Sequence, residues 1–108
     1  MRTVFLAGAQ EDLKDLRRYV TQRFGKPTWQ ETSQRIKEAV HTIQTLPHGG
    51  SIPAELADLS LQHYHQAISG MNRVIYEVRE DVIYIHIVCD TRRDMRTLLS
   101  RRLVRMIP

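Results

Sequence analysis

The spacing of apolar residues changes several times along the chain, and each change marks an element. Residues 3–7 (Thr3-Val4-Phe5-Leu6-Ala7) form a short β-prone run that Gly8 closes, which predicts an opening strand. From Ala9 the apolar positions Leu13, Leu16, Val20 and Phe24 recur at three and four, with Glu11, Asp12 and Asp15 in the first turns, where acids favour the helix dipole. This predicts an amphipathic helix ending at Gly25. Lys26-Pro27 reads as a link. Thr28-Trp29-Gln30-Glu31 fits a capping box, in which the Thr28 hydroxyl accepts from the Glu31 amide while Glu31 reaches back. A second helix follows, with Trp29, Ile36, Val40 and Ile43 as its stripe and Ala39 and Leu46 alongside, until Pro47, Gly49, Gly50 and Pro53 break it. The two helices should form a hairpin.

Residues 47–60 read as a loop, with one short helical turn from Ala54 to Leu59. Three strand-like runs follow, Leu61 to Ile68, Asn72 to Val78 and Val82 to Cys89, divided by Gly70 and by Glu80-Asp81. They should pair as an antiparallel meander. Strict alternation puts Ile83, Ile85, Ile87 and Cys89 on one face of the last run and Val74, Tyr76 and Val78 on one face of the middle run, both expected to lie against the helices. The opposite face, with Arg73, Ile75 and Glu77 beside Tyr84, His86 and Val88, is expected to stay open for a partner. Asp90-Thr91 supplies cap-type residues for a last helix from Arg92 to about Met106, whose stripe is Met95, Leu98, Leu99 and Leu103. Around that helix Arg93 and Arg101 fall on the far side, Arg96 and Arg105 on the flanks, and Arg102 within the apolar stripe.

Composition narrows what such a chain can do. At 108 residues it reads as a single domain, too small for separate cofactor and substrate lobes, and 42% apolar with 26% charged residues is a folding composition. The single cysteine, Cys89, excludes an internal disulfide; no apolar stretch approaches membrane-spanning length, and no secretory pattern opens the chain, so a cytoplasmic protein without membrane contact is expected. The formal charge of +4 is unevenly placed. Residues 91–108 carry Arg92, Arg93, Arg96, Arg101, Arg102 and Arg105 against Asp94 alone, for +5, while residues 1–90 sum to −1. Arginine's planar fork suits carboxylate and phosphate partners, and a neutral body with one basic segment points to a protein partner before nucleic acid. No helix-turn-helix, zinc-finger or RNP-like motif supports a DNA-binding module.

Three segments carry a family resemblance across nearly the whole chain. Leu46-Pro47 with Ala54-Glu55-Leu56, the strand Gly70-Met71-Asn72-Arg73-Val74-Ile75-Tyr76-Glu77-Val78, and Arg92-Arg93-Asp94-Met95 with Leu98-Leu99 and Arg102-Leu103 resemble, in order and spacing, the RelE/ParE superfamily of bacterial toxins, and the last resembles its ParE-like members. Asn72 stands where the family strand usually has tyrosine. The resemblance implies an α+β fold, with an N-terminal strand and helical hairpin packed on a small antiparallel sheet and a short C-terminal helix. It also implies the toxin of a type II toxin–antitoxin system, of the kind that stabilises plasmids, neutralised by a cognate antitoxin, with assembly as a homodimer or a toxin–antitoxin hetero-oligomer left open. ParE-like members bind and poison DNA gyrase; RelE-like members cut mRNA on the ribosome.

The residues divide between those two activities. Metal-independent RNA cleavage needs a base, cations for the phosphate and an acid for the leaving oxygen. His63, His65, Arg73 and Arg92 are the candidates, but no lysine follows Lys37 and no tyrosine or histidine follows His86, where the nuclease branch places its groups. The gyrase reading is therefore favoured, with Arg73, Arg92, Arg93, Arg96, Arg101 and Arg105 as the contacts to target or antitoxin. Neither a cofactor nor a metal is expected. The plainer readings are that His63 and His65 face solvent, His86 is a packed sheet residue with its ring nitrogens bonded, Cys89 is a small core residue, Trp29 packs or meets a partner, Arg73 pairs with Glu77 or a neighbour, and Arg102 lays its stem over the core.

Overall fold

Gly25 is the corner of the helical hairpin. In the computed structural model, which describes residues 1–57 and 63–105, this glycine ends α1 (Ala7–Phe24) and opens α2 (Lys26–Thr45) with φ +91, a conformation that side-chain-bearing residues rarely adopt. The second helix thus starts before the expected capping box. Pro27 occupies the first turn, where a missing N–H costs nothing. Thr28 instead donates its hydroxyl to the Phe24 carbonyl at 3.2 Å, and Glu31 pairs with Arg35 one turn on. Ile36 and Ile43 are buried as the stripe predicts, but Leu46 lies beyond the helix end and is 63% exposed.

The sheet holds four strands in the order β1-β4-β3-β2: β1 (Arg2–Phe5), β2 (Tyr64–Ser69), β3 (Asn72–Arg79) and β4 (Val82–Asp90). The expected meander forms, turning at Gly70-Met71 and Glu80-Asp81, with Gly70 and Glu80 at positive φ. The opening strand joins it in parallel, Arg2 beside Val82 through Phe5 beside Ile85. The fold is α+β with a mixed sheet. The hairpin packs on one face through Ala9, Ile36, Ile43, Val74, Tyr76, Ile83 and Ile85.

The opposite face is not open. The short α3 (Ala54–Ala57) and the C-terminal α4 (Met95–Arg105) cover it, burying Leu56, Ile75, Ile87, Met95 and Leu99 in a second core. A leucine fully withdrawn from water, such as Leu99, contributes about 2 kcal/mol, so an amphipathic last helix has a strong reason to close over the sheet. Ile75, Glu77 and His86, expected on an exposed surface, are all buried.

The expected single apolar face of the last strand is also broken. Tyr76 pairs with Ile85 and Ile75 with Ile87, so His86 is an extra residue in β4, a bulge. Ile83 and Ile85 face the hairpin, whereas Ile87 and Cys89 face α4, and Val88 returns to the hairpin side. The last helix begins later than expected. Asp90 accepts the Arg92 amide in the turn that leaves β4, and it is Asp94 that caps, its carboxylate receiving the Thr97 amide and hydroxyl. Portions of the expected elements at 58–62 and at Met106 lie outside the described residues.

Candidate functional site

The bulge at His86 creates the anchor around which the basic segment is arranged. Asp12 of α1 and Arg102 of α4 form a two-pronged ion pair, Nη1 to Oδ2 at 3.0 Å with Nη2 on Oδ1, and their side chains are 13% and 12% exposed. Each also holds backbone at the bulge. Arg102 Nη1 donates to the His86 carbonyl at 2.9 Å, and the Val88 amide donates to Asp12 Oδ2 at 2.9 Å. Polar groups displaced from the ladder are thereby bonded, as burial requires. Arg102 does more than shield the core with its stem.

Beside this pair lies a groove of about 690 Å³ between α1 and the turn that joins β4 to α4. Leu16, Val88 and Leu98 contribute apolar surface, Glu11, Asp15 and Tyr19 come from the α1 side, and Arg92, Arg93 and Arg101 come from the other. Tyr19 is 52% exposed, with the Arg23 guanidinium 5.5 Å from its ring centre. Arg92 is engaged by Asp90 at 2.9 and 3.1 Å, and this bonding lowers the Asp90 carboxyl below its ordinary range. Arg93 and Arg101 are exposed; the Arg93 amide donates to the Asp90 carbonyl at 3.1 Å and its charge helps to lower the Asp90 carboxyl, but neither guanidinium makes a hydrogen bond or salt bridge among the described residues. Arg96 Nε donates to the Glu55 carbonyl, which ties α4 to α3. Arg105 closes α4, and its side chain is outside the described set.

The other candidates lie apart from that groove. Arg73 is held by Glu55 in a fork at 2.7 and 3.4 Å, so its neighbour is a helix residue and not Glu77; this bonding raises the guanidinium further above its ordinary value. His65 sits on the hairpin side, bonded through Nδ1 to the Gly50 carbonyl at 3.0 Å and stacked on Tyr76. His63 is exposed, its ring against Tyr64, whose own ring meets His86 at the second core. The structure thus gives His65, Arg73 and Arg92 separate partners: the Gly50 carbonyl, Glu55 and Asp90. His86 is buried with Nε2 2.8 Å from Glu77 Oε1, and burial pushes its pKa down despite that carboxylate. Cys89 is a buried thiol whose pKa burial raises to about 11. Among the described residues no three His, Cys, Asp or Glu side chains stand where they could share a metal ion.

Sequence patterning missed the α1 side of the groove. The signal was present in part, because Asp12 stands three residues after Ala9 and four before Leu16, inside the buried stripe, as Arg102 stands inside its own. Two opposite charges placed on apolar stripes are candidates for each other, but only the fold shows that α1 and α4 meet at one strand.

No match was found among curated protein sequences. Among solved structures the fold is similar to one titled "Chromosomal ParDE TA system from P. aeruginosa", with a TM-score of 0.68, 17% identity, 83% of this chain covered and 95% of that one. At that identity the likeness speaks for the fold. The model of the family described as "ParE toxin of type II toxin-antitoxin system, parDE" matches residues 4–95, from the opening strand to the first residue of α4, and the chain therefore belongs to the ParE toxin family.

Proposed function

We propose that this ParE-family toxin arrests growth by binding DNA gyrase and poisoning its cycle, without catalysing a reaction of its own, and that a cognate antitoxin neutralises it in the cytoplasm. The observation that carries the reading is the pair Arg93 and Arg101, exposed and with guanidinium groups that make no hydrogen bond or salt bridge among the described residues, on a groove with apolar surface between α1 and α4. Arginines beside an apolar floor suit a protein surface with carboxylates, because the guanidinium binds them bidentately while the floor excludes water. The candidate nuclease groups support the same reading by their occupation: Arg73 and Arg92 are forked onto carboxylates and His65 is bonded to backbone carbonyl. The ParDE title of the structural neighbour supports an antitoxin as the neutralising partner.

A gyrase supercoiling assay with the purified protein tests the proposal. Inhibition at stoichiometric toxin, relieved by antitoxin, is the expected result; undiminished supercoiling at excess toxin overturns it. Primer extension on mRNA after induction supplies the second arm, since discrete cuts within codons would assign the chain to ribosome-dependent cleavage instead.

A further inference from the structure

We infer that the groove between α1 and the turn joining β4 to α4 accepts a peptide segment of mixed charge, with an acid and a base on either side of an apolar side chain, and that Glu11 and Asp15 are the residues that turn polyanions such as DNA away from it. The inference rests on the reading of this groove as a surface for a protein target. In a chain of formal charge +4 the groove lining is neutral, its four arginines matched by four carboxylates. Two of those matches are closed within the fold, because Arg102 is forked onto Asp12 and Arg92 onto Asp90. What is left to meet a ligand is Arg93 and Arg101 on one side and Glu11 and Asp15 on the other.

Those four side chains define the ligand. Glu11 and Asp15, one turn apart on α1, are well exposed and paired within their own helix at long range, with Lys14 at 3.4 Å and Arg18 at 3.5 Å. Exposed pairs three residues apart are weak and exchange readily for a new partner. The guanidinium groups of Arg93 and Arg101 make no hydrogen bond or salt bridge among the described residues. Leu16, Val88 and Leu98 supply apolar surface in the same groove, and its volume of about 690 Å³ is that of a site taking a few side chains. Duplex DNA carries one negative charge per ~1.7 Å of its axis and no cation, so an acidic wall repels it throughout. A peptide offers both signs: its acid meets the arginine forks, its base meets the α1 carboxylates, and juxtaposed like charges exclude the wrong ligand.

Three hexapeptides with blocked ends are the probes: Lys-Lys-Leu-Leu-Glu-Glu, and its counterparts in which the charged residues are all Glu or all Lys. Titrated into the full chain and followed by methyl NMR, the mixed peptide should give saturable shifts at Leu16, Val88 and Leu98, with each single-sign peptide about tenfold weaker because it exchanges exposed ion pairs for repulsion. Reversing the α1 wall with Glu11→Lys and Asp15→Lys should move the preference to the all-Glu peptide and make the chain shift duplex DNA in a gel at about 0.15 M salt, which the parent protein should not do. Glu31→Lys with Glu38→Lys, the same change of net charge placed on α2, should do neither. Equal affinity for the mixed and all-Glu peptides, shifts that do not saturate, movement of the groove methyls when duplex DNA is added to the parent, or equal DNA binding by the α1 and α2 variants would overturn the inference. The supercoiling assay reads the target separately. If inhibition depends on Arg93 and Arg101 while the peptides fail, the mixed-charge preference falls and the gyrase reading stands; if the mixed peptide binds without inhibition of gyrase, the preference stands and the target changes.

Discussion

Asp12 and Arg102, ninety residues apart in sequence, join the first helix to the last across a bulge in the strand between them. Each carries a charge into a nearly dry position, and each bonds backbone that the bulge displaced. A pair of this kind is a weak source of net stability but a costly one to halve, because the remaining charge stays buried. Asp12→Ala or Arg102→Ala should lower unfolding free energy by about 3 kcal/mol in urea, and the double substitution should cost less than the sum of the singles. A loss below about 1 kcal/mol for either single change, as for an exposed pair, would show that the charges are solvated.

Gly8 is where this pair presses on α1. A Cβ there would lie 2.7 Å from Arg102 Nη1 and 2.9 Å from its Cδ. Gly8→Ala would ordinarily stabilise a helical position by about 1 kcal/mol. Here it should destabilise, and the sign should reverse when Arg102 is replaced by Met. A cycle over both positions measures the coupling, and a Gly8→Ala gain in the parent protein would contradict the close contact.

His86 predicts a pH dependence with a definite sign. Burial holds its folded-state pKa below the ordinary 6.5 although Glu77 opposes that shift. The folded protein then binds fewer protons than the unfolded chain below that pH, so stability is full above it and falls on acidification. Urea midpoints at pH 7.5 and 5.5 should show the decline, and an NMR titration should place the ring midpoint under 6.5. A midpoint above that value would mean that Glu77 dominates burial.

Cys89 should be inert. With its pKa raised to about 11 from 9.0, the thiolate at pH 8 is about 100-fold scarcer than for a thiol at the reference value, and the side chain is buried as well. Labelling by a thiol reagent should proceed only as the protein opens and accelerate in denaturant. Rapid labelling under native conditions would place β4 in a different register.

Arg93 and Arg101 should matter to the target and hardly at all to the fold. Neither guanidinium makes a hydrogen bond or salt bridge among the described residues, so Arg93→Glu with Arg101→Glu should shift stability by less than about 0.5 kcal/mol. If the groove meets gyrase, the same change should raise the toxin concentration for half-inhibition of supercoiling by at least about tenfold, two bidentate contacts being lost. Unchanged inhibition would move the contact surface elsewhere.

Residue order alone established the order of elements, the buried stripes of the helices except at Phe24 and Leu46, which are exposed, the pairing of β2, β3 and β4, and the concentration of positive charge in the last segment. Those features are local, because a period near 3.6 or 2 and a glycine or proline between runs are properties of neighbouring residues. The three Gly70–Val78, Arg92–Met95 and Leu46–Leu56 segments also sufficed to point to the family. The tertiary structure alone decided the rest. A bulge inserts one residue without altering composition, so alternation assigned Ile87 and Cys89 to the face of Ile83 when His86 had turned them to the other. The supposedly open face was closed because α4 needs apolar surface and Ile75, Ile87 and Cys89 offer it, a match between segments whose separation in sequence hides it. The placement of Asp12 opposite Arg102, and of Arg93 and Arg101 beside an open groove, follows from that closure, since a charge finds its partner through space and not along the chain.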